Sequence, residues 1–284
     1  MTGTEAMDQD ALMTTIRRVL IEAPADPFIL YVCSGRRRTG DLAEQAAPLN
    51  MQVVSVDILI GGDDHDLRRP AVARRLGELA SLPQCRGVLA SLECRTWSAA
   101  LFNDYGEGAP PVLRDLDRPA GIPKADGTLP EVVKDANLMA DNLVMVLRVA
   151  QSHNKPFIVE SPVSRASGSP YAIPGRERHA AFWTYPAVSE FSQSVGNLFV
   201  TFDQCRTGQV SQKSTQLLCS RNIFWPALVL FGHLRCDHES CRQRSLLVRW
   251  SRGRADEQPF ATRQTQDYSP RMNYLIALAF HAVL

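Results

Sequence analysis

The sequence predicts an α/β protein built on a doubly wound, mostly parallel sheet. Three observations carry that prediction. Short apolar runs suited to buried strands recur at 28–33, 51–58, 87–90 and 157–159. Segments with apolar residues at helical spacing separate them. Two further runs, at 197–202 and 215–219, flank a short polar turn and read as a C-terminal hairpin. Strands alternating with helices are the pattern of a sheet wound on both faces. With 284 residues, 45% of them hydrophobic, the chain is long enough to bury a substantial core.

In chain order, residues 1–27 start polar and acidic. Ala11, Leu12, Ile16, Val19 and Leu20 then recur at helical spacing until Pro24 and Pro27 end the pattern, which predicts an N-terminal helix. The core is expected over 28–219. The strand 28–33 leads into Cys33, Ser34 and Gly35, a basic triplet Arg36–Arg38, and Gly40, followed by a helical DLAEQAA segment. Strand, glycine turn and helix open a nucleotide-type βα unit, although these glycines also suit an ordinary turn. Asp57 ends the next strand, 22 residues after Gly35. A carboxylate there can bind ribose hydroxyls or cap the following helix, and the two readings stand equal. A helix is predicted from Pro70 to Ala80, with Val72, Leu76 and Leu79 on one face.

The strand from Gly87 runs into Leu92, Glu93 and Cys94, which makes Cys94 a candidate reactive thiol; a small buried hydrophobe is the alternative. Residues 103–131, rich in Gly, Pro and Asp, predict a long loop that could serve as a lid. An amphipathic helix is expected over 137–151. The strand after it ends in Glu160-Ser161-Pro162, a second candidate chemical group at a strand end.

From 220 to 267 the composition predicts a small insertion. His233, Cys236, His238 and Cys241 have the ligand chemistry of structural zinc, in a spacing tighter than separated pairs, or else form an exposed polar loop. Arg242, Arg244, Arg249, Arg252 and Arg254 bracket Trp250 with no acidic residue among them, as suits a phosphate backbone or a solvated basic face. The net charge of +1 gives no global steering. Residues 268–284 predict a closing helix started by Pro270. Seven cysteines, an odd number, with no N-terminal apolar signal segment lead us to expect an intracellular, reducing compartment, cytoplasm or nucleus. No apolar run reaches the roughly 20 residues of a membrane span.

Taken in order, these pieces resemble the DNA cytosine-5 methyltransferases, a branch of the Rossmann-like class I S-adenosylmethionine-dependent methyltransferases. The resemblance covers 28–219 and the last helix. It implies that Cys33, Ser34 and Gly35 cradle S-adenosylmethionine, that Asp57 binds its ribose and Asp66 its adenine, and that Asn273 returns to the same pocket. Cys94 stands where the family has its nucleophile and Glu160 where it has the acid of Glu-Asn-Val. Gln204 and Arg206 match its Gln-x-Arg, and the 220–267 insertion occupies the place of its recognition region. The chain departs from the family in Glu93 and Arg95 beside the thiol, in the residue after Glu160, and in an incomplete first glycine motif.

The implied reaction is methylation of cytosine C5 in nucleic acid, DNA favoured. A thiolate adds to C6, and an acid at N3 absorbs the developing negative charge. Cys94 would attack and Glu160 would hold N3. Arg206 and Arg165 would hold Glu160 and the flipped base. The alternatives are a catalytically degenerate relative that binds nucleic acid or a partner, and a methyltransferase acting on nitrogen or oxygen.

Overall fold

A computed structural model of the chain describes residues 21–103, 110–209, 213–237 and 267–283. The expected N-terminal helix therefore lies outside the described residues, apart from Ile21, which is buried against the core. Six strands form one sheet: β1 (Phe28–Val32), β2 (Gln52–Val56), β3 (Cys85–Ala90), β4 (Phe157–Pro162), β5 (Phe199–Asp203) and β6 (Ser214–Cys219). Their order is β2-β1-β3-β4-β6-β5. The first four are parallel, and β6 alone runs against its neighbours.

Helices cover both faces, so the strand residues alternate between two cores. Phe28, Leu30 and Val32 of β1, Val88 of β3 and Phe157 and Val159 of β4 face one layer. That layer is α3 (Pro70–Ser81), α4 (Glu131–Ser152) and α5 (Pro186–Ser194). Ile29, Tyr31, Leu89 and Ile158 face the other, made of α1 (Leu42–Ala46), α6 (Arg221–Phe231) and α7 (Pro270–His281). A strand covered on both faces reads as an unbroken apolar run, which is why FILYV is buried at every position. Gly87 lets α7 approach β3, because a Cβ there would collide with the Phe280 ring and sit 2.8 Å from Pro156 O.

Four expectations change. The segment His65-Asp66-Leu67, read through the resemblance as a strand end, is instead the close of a 3-10 turn (Gly62–His65) with Asp66 at its C-cap, and β2 is the edge of the sheet. Asp63, Asp64 and His65 provide no apolar strand face there. Second, α4 starts six residues before Asn137, because Pro130 sits at its N-cap and Val133 is fully buried. Third, Arg221–Phe231 belongs to the core and not to the insertion: Ile223, Ala227 and Phe231 recur every four residues and are fully buried. Fourth, the described part of the 103–131 loop, exposed over 116–118 and 123–128, is anchored at Arg114 and Asp115. Asp115 bonds Arg118 and Arg178, and Arg114 is fully buried. A second short helix, α2 (Ile58–Gly61), follows β2.

Candidate functional site

The chain leaves β1 outward to β2, then crosses back to β3 and β4, so the loops after β1 and β3 diverge from a switch point. In open α/β sheets ligands bind in such a crevice, at the carboxyl ends of the strands. The two loops meet where Ser91 Oγ donates to Cys33 O at 3.1 Å and Ser91 N donates to Val32 O at 3.2 Å. Tyr31 OH lies 3.3 Å from the same Ser91 Oγ.

The β1 side is the glycine turn. Cys33 (φ +57°), Gly35 (φ +70°) and Gly40 (φ +73°) all adopt left-handed backbone there. Asp57 accepts from Gly35 N and from Leu59 N, both at 2.9 Å, so one carboxylate caps α2 and ties β2 to the turn. The capping reading of Asp57 is thus realised. Each of its oxygens keeps a second lone pair, and the side chain is half-buried. Ile58, Leu59 and Ile60 stand beside it as exposed apolar side chains, 44%, 58% and 41% exposed. Ser34 Oγ turns back onto Gly35 O. Asn273, fully buried, donates to Gly40 O at 2.9 Å, while its Oδ1 is buried without a partner. Asp66, by contrast, accepts three bonds from the Arg68 guanidinium, which also reaches Asp135. Burial pushes the Asp66 carboxyl up, but Arg68 outweighs it and holds the group below the ordinary carboxylate range.

The β3 side carries Cys94, half-buried at the start of a 3-10 turn (Arg95–Trp97). Across the crevice Glu160, 4% exposed, collects three donors: Gln204 Nε2 at 3.2 Å, Lys213 Nζ at 3.2 Å and Tyr268 OH at 2.8 Å. Gln204 also donates to Thr215 Oγ1 at 2.9 Å, and its backbone N bonds Lys213 O, so the hairpin presents both donors together. Burial lowers the Lys213 pKa, but Glu160 and Cys94 reverse the effect and leave it raised. Burial raises the Cys94 thiol, Lys213 opposes that, and Glu160 and Glu93 add to it; the net direction is up. Protein-family models, curated proteins and solved structures yield no match to this chain.

The structure therefore brings Cys94, Glu160 and Gln204 together, with Cys33, Ser34 and Gly35 on the neighbouring turn, Asp57 bracing that turn from the end of β2, and Asn273 reaching Gly40 O from α7. It does not bring in the arginines expected to hold Glu160. Arg206 is exposed on the short hairpin turn, and Arg165 donates to Tyr171 O at 3.3 Å. Among the described residues, Lys213 is the cation that reaches Glu160. Arg242, Arg244, Arg249, Trp250, Arg252, His238 and Cys241 lie outside the described residues. Of the remaining zinc candidates, His233 Nδ1 is 3.1 Å from Val229 O and Cys236 N donates to Asp203. Among the described residues, no three His, Cys, Asp or Glu side chains are grouped to hold a metal. None of their helices is long and apolar enough to cross a membrane.

Sequence reasoning missed what supports the Cys94 turn. Trp97 is packed edge-on by Phe182, with ring centres 5.1 Å apart, and its carbonyl lies 2.9 Å from His179 Nε2. His179 Nδ1 accepts from Arg165 N at 3.0 Å, so Nε2 carries the proton and donates. Arg114 and Lys213 each stand alone in a loop, with no spacing to mark them.

Proposed function

We propose that the protein is a class I methyltransferase that methylates cytosine C5 in nucleic acid, DNA in preference to RNA. The observation that carries this reading is the convergence of Cys94 and the Glu160 donor set at the crevice beside the Asp57-braced glycine turn. The residues fit S-adenosylmethionine in part. Asp57 retains lone pairs for ribose hydroxyls, and the exposed Ile58–Ile60 offers an apolar wall for a purine. The unpartnered buried Asn273 Oδ1 is an acceptor on the same side. Asp66 does not fit the adenine role, since Arg68 occupies its carboxylate.

The cofactor, when bound, supplies an electrophilic methyl group. Cys94 would add to C6 of the base as a thiolate, which makes C5 nucleophilic; once C5 carries the methyl group, loss of its proton to water expels the Cys94 thiolate and restores the C5–C6 double bond. Glu160 meets N3, and its donors Gln204, Lys213 and Tyr268 fix the carboxylate's orientation against a flipped base. An adduct with 5-fluorocytosine DNA tests this: the parent should remain covalently attached after denaturation, and Cys94→Ser should not. Burial and the Glu93 charge, which raise the Cys94 thiol, favour a second reading as a non-catalytic nucleic-acid binder. Cofactor binding with no adduct on DNA or RNA would establish that second reading.

A further inference from the structure

We propose that Arg165 and Arg235, which flank the Tyr171 ring at the carboxyl end of β4, form a seat for the phosphate backbone of the nucleic-acid strand whose base enters the crevice. The inference rests on the nucleic-acid reading for its ligand, but it is tested by binding alone, without cofactor or reaction.

The two arginines come from separate parts of the chain. Arg165 lies three residues past Pro162, the last residue of β4, and Arg235 lies four past the end of α6. The loop after β4 folds back on itself: Ile173 N donates to Arg165 O at 3.1 Å, and Arg165 N donates to His179 Nδ1 at 3.0 Å. The Arg165 guanidinium carbon is thereby held 6.0 Å from the centre of the Tyr171 ring, and its Nη1 donates to Tyr171 O at 3.3 Å. Asp203 N donates to Leu234 O and Cys236 N donates to Asp203 Oδ2, each at 2.9 Å, which fixes the backbone on both sides of Arg235. The Arg235 guanidinium carbon lies 5.5 Å from the centre of the same ring. Both distances are within the range of cation–π attraction. Val163 N donates to Ser214 O, and the residue before Ser214 is the Lys213 that meets Glu160, so the pair stands on the Glu160 side of the crevice.

Placing two cations on one ring is unfavourable unless an anion joins them, and a sheltered cation is ordinarily paired. Among the described residues, neither Arg165 nor Arg235 makes an ion pair with a carboxylate. Asp203 attracts Arg165 without pairing with it, and that carboxylate already accepts from Cys236 N. Arg176 adds positive charge beside Arg165 and donates to Asn103 Oδ1, a neutral partner. A phosphodiester supplies the missing anion, and its oxygens match the planar fork of a guanidinium. A nucleotide whose base meets Glu160 carries a phosphate on each side, so cations are required on the rim of that crevice. An acidic protein surface makes no such requirement.

The test is fluorescence anisotropy of a labelled DNA duplex, read across salt. The parent should bind, with log affinity falling linearly against log salt concentration. Arg235→Gln removes one charge from an exposed side chain. It should flatten that slope by about 0.9, so that the affinity lost between about 50 and 200 mM salt shrinks by about three- to fourfold. Arg235→Lys keeps the charge and should keep the slope. Adding Arg165→Gln should bring the flattening to about 1.8; Arg235 is exposed, so its single variant stands if the double variant folds poorly. Arg74→Gln, an exposed change of the same charge on α3, should leave the slope alone. A parent that does not bind DNA, an unchanged slope in Arg235→Gln, or equal flattening by Arg74→Gln overturns the proposal. So does displacement of the duplex by poly-glutamate as effective as that by unlabelled DNA at matched charge, which would make the seat a site for an acidic protein. A flattened slope with no 5-fluorocytosine adduct upholds the phosphate seat and removes the methylation reading. An adduct with an unaltered slope does the reverse.

Discussion

The guanidinium carbon of Arg114 lies 4.3 Å above the centre of the Trp97 ring, so a fully buried cation carries the turn that presents Cys94. Among the described residues, Arg114 has no carboxylate paired with it. It donates instead to Thr96 Oγ1 at 3.2 Å, Pro119 O at 2.8 Å and Val133 O at 3.3 Å, linking the turn to the long loop and to α4. Burial lowers its pKa to about 10, which leaves it charged at neutral pH. Arg114→Met should cost about 3–5 kcal/mol, since it strands buried acceptors and empties a packed site. Denaturant unfolding checks it. Arg114→Lys should recover less than half, because an ammonium cannot both stack on Trp97 and span three acceptors.

His179 makes stability depend on pH. It is buried and neutral, with Nδ1 accepting from Arg165 N, and burial lowers its pKa from the usual value near 6.5. Below that value the unfolded chain binds a proton that the folded one refuses. Its contribution is therefore complete above about pH 6.5 and declines as pH falls further. Melting temperature followed from pH 7.5 to 5.5 should drop more steeply in the parent than in His179→Gln. Equal slopes would mean that His179 titrates as freely folded as unfolded.

Gly40 and α7 define the closure of the fold. A Cβ at Gly40 would sit 2.5 Å from Pro270 Cγ, on a backbone with φ of +73°. Gly40→Ala is expected to lose about 2–4 kcal/mol from the combined strain and clash. Asn273→Ala removes only the bond to Gly40 O and should cost about 1–3 kcal/mol. Both values come from denaturant midpoints.

The strands were legible because two-sided burial leaves an unmistakable apolar run, as in β1, β3 and β4. Cys94 and Glu160 stood out before any coordinates because each stands at or near a strand end, whereas Gln204 joined them only through the family resemblance. Lys213 did not stand out, since SQKS carries no pattern and its neighbour Glu160 is 53 positions away. Arg114 was hidden for the same reason, in a stretch whose glycines and prolines suggested exposure. The 220 boundary failed because α6 combines an exposed Trp225 and Val229 with a buried Ile223 and Phe231, and mixed aromatic composition masked the helical period.

Asp57 decides whether the glycine turn is a cofactor site or only a well-capped corner. The carboxylate already serves two backbone N–H groups, so loss of affinity in Asp57→Ala could follow from collapse of the turn. Asp57→Ser keeps a side-chain acceptor for Leu59 N, and should cost no more than about 1 kcal/mol of stability. Calorimetry with S-adenosylhomocysteine and with its 2′-deoxy analogue then separates the two effects. The parent should prefer the hydroxylated ligand by about 10- to 100-fold, the worth of a hydrogen bond to a charged group. Asp57→Ser should bind both ligands with nearly equal, weaker affinity. If the parent fails to distinguish them, Asp57 does not bind ribose. If it binds neither, the turn is a structural brace, and the methyltransferase reading loses its cofactor site.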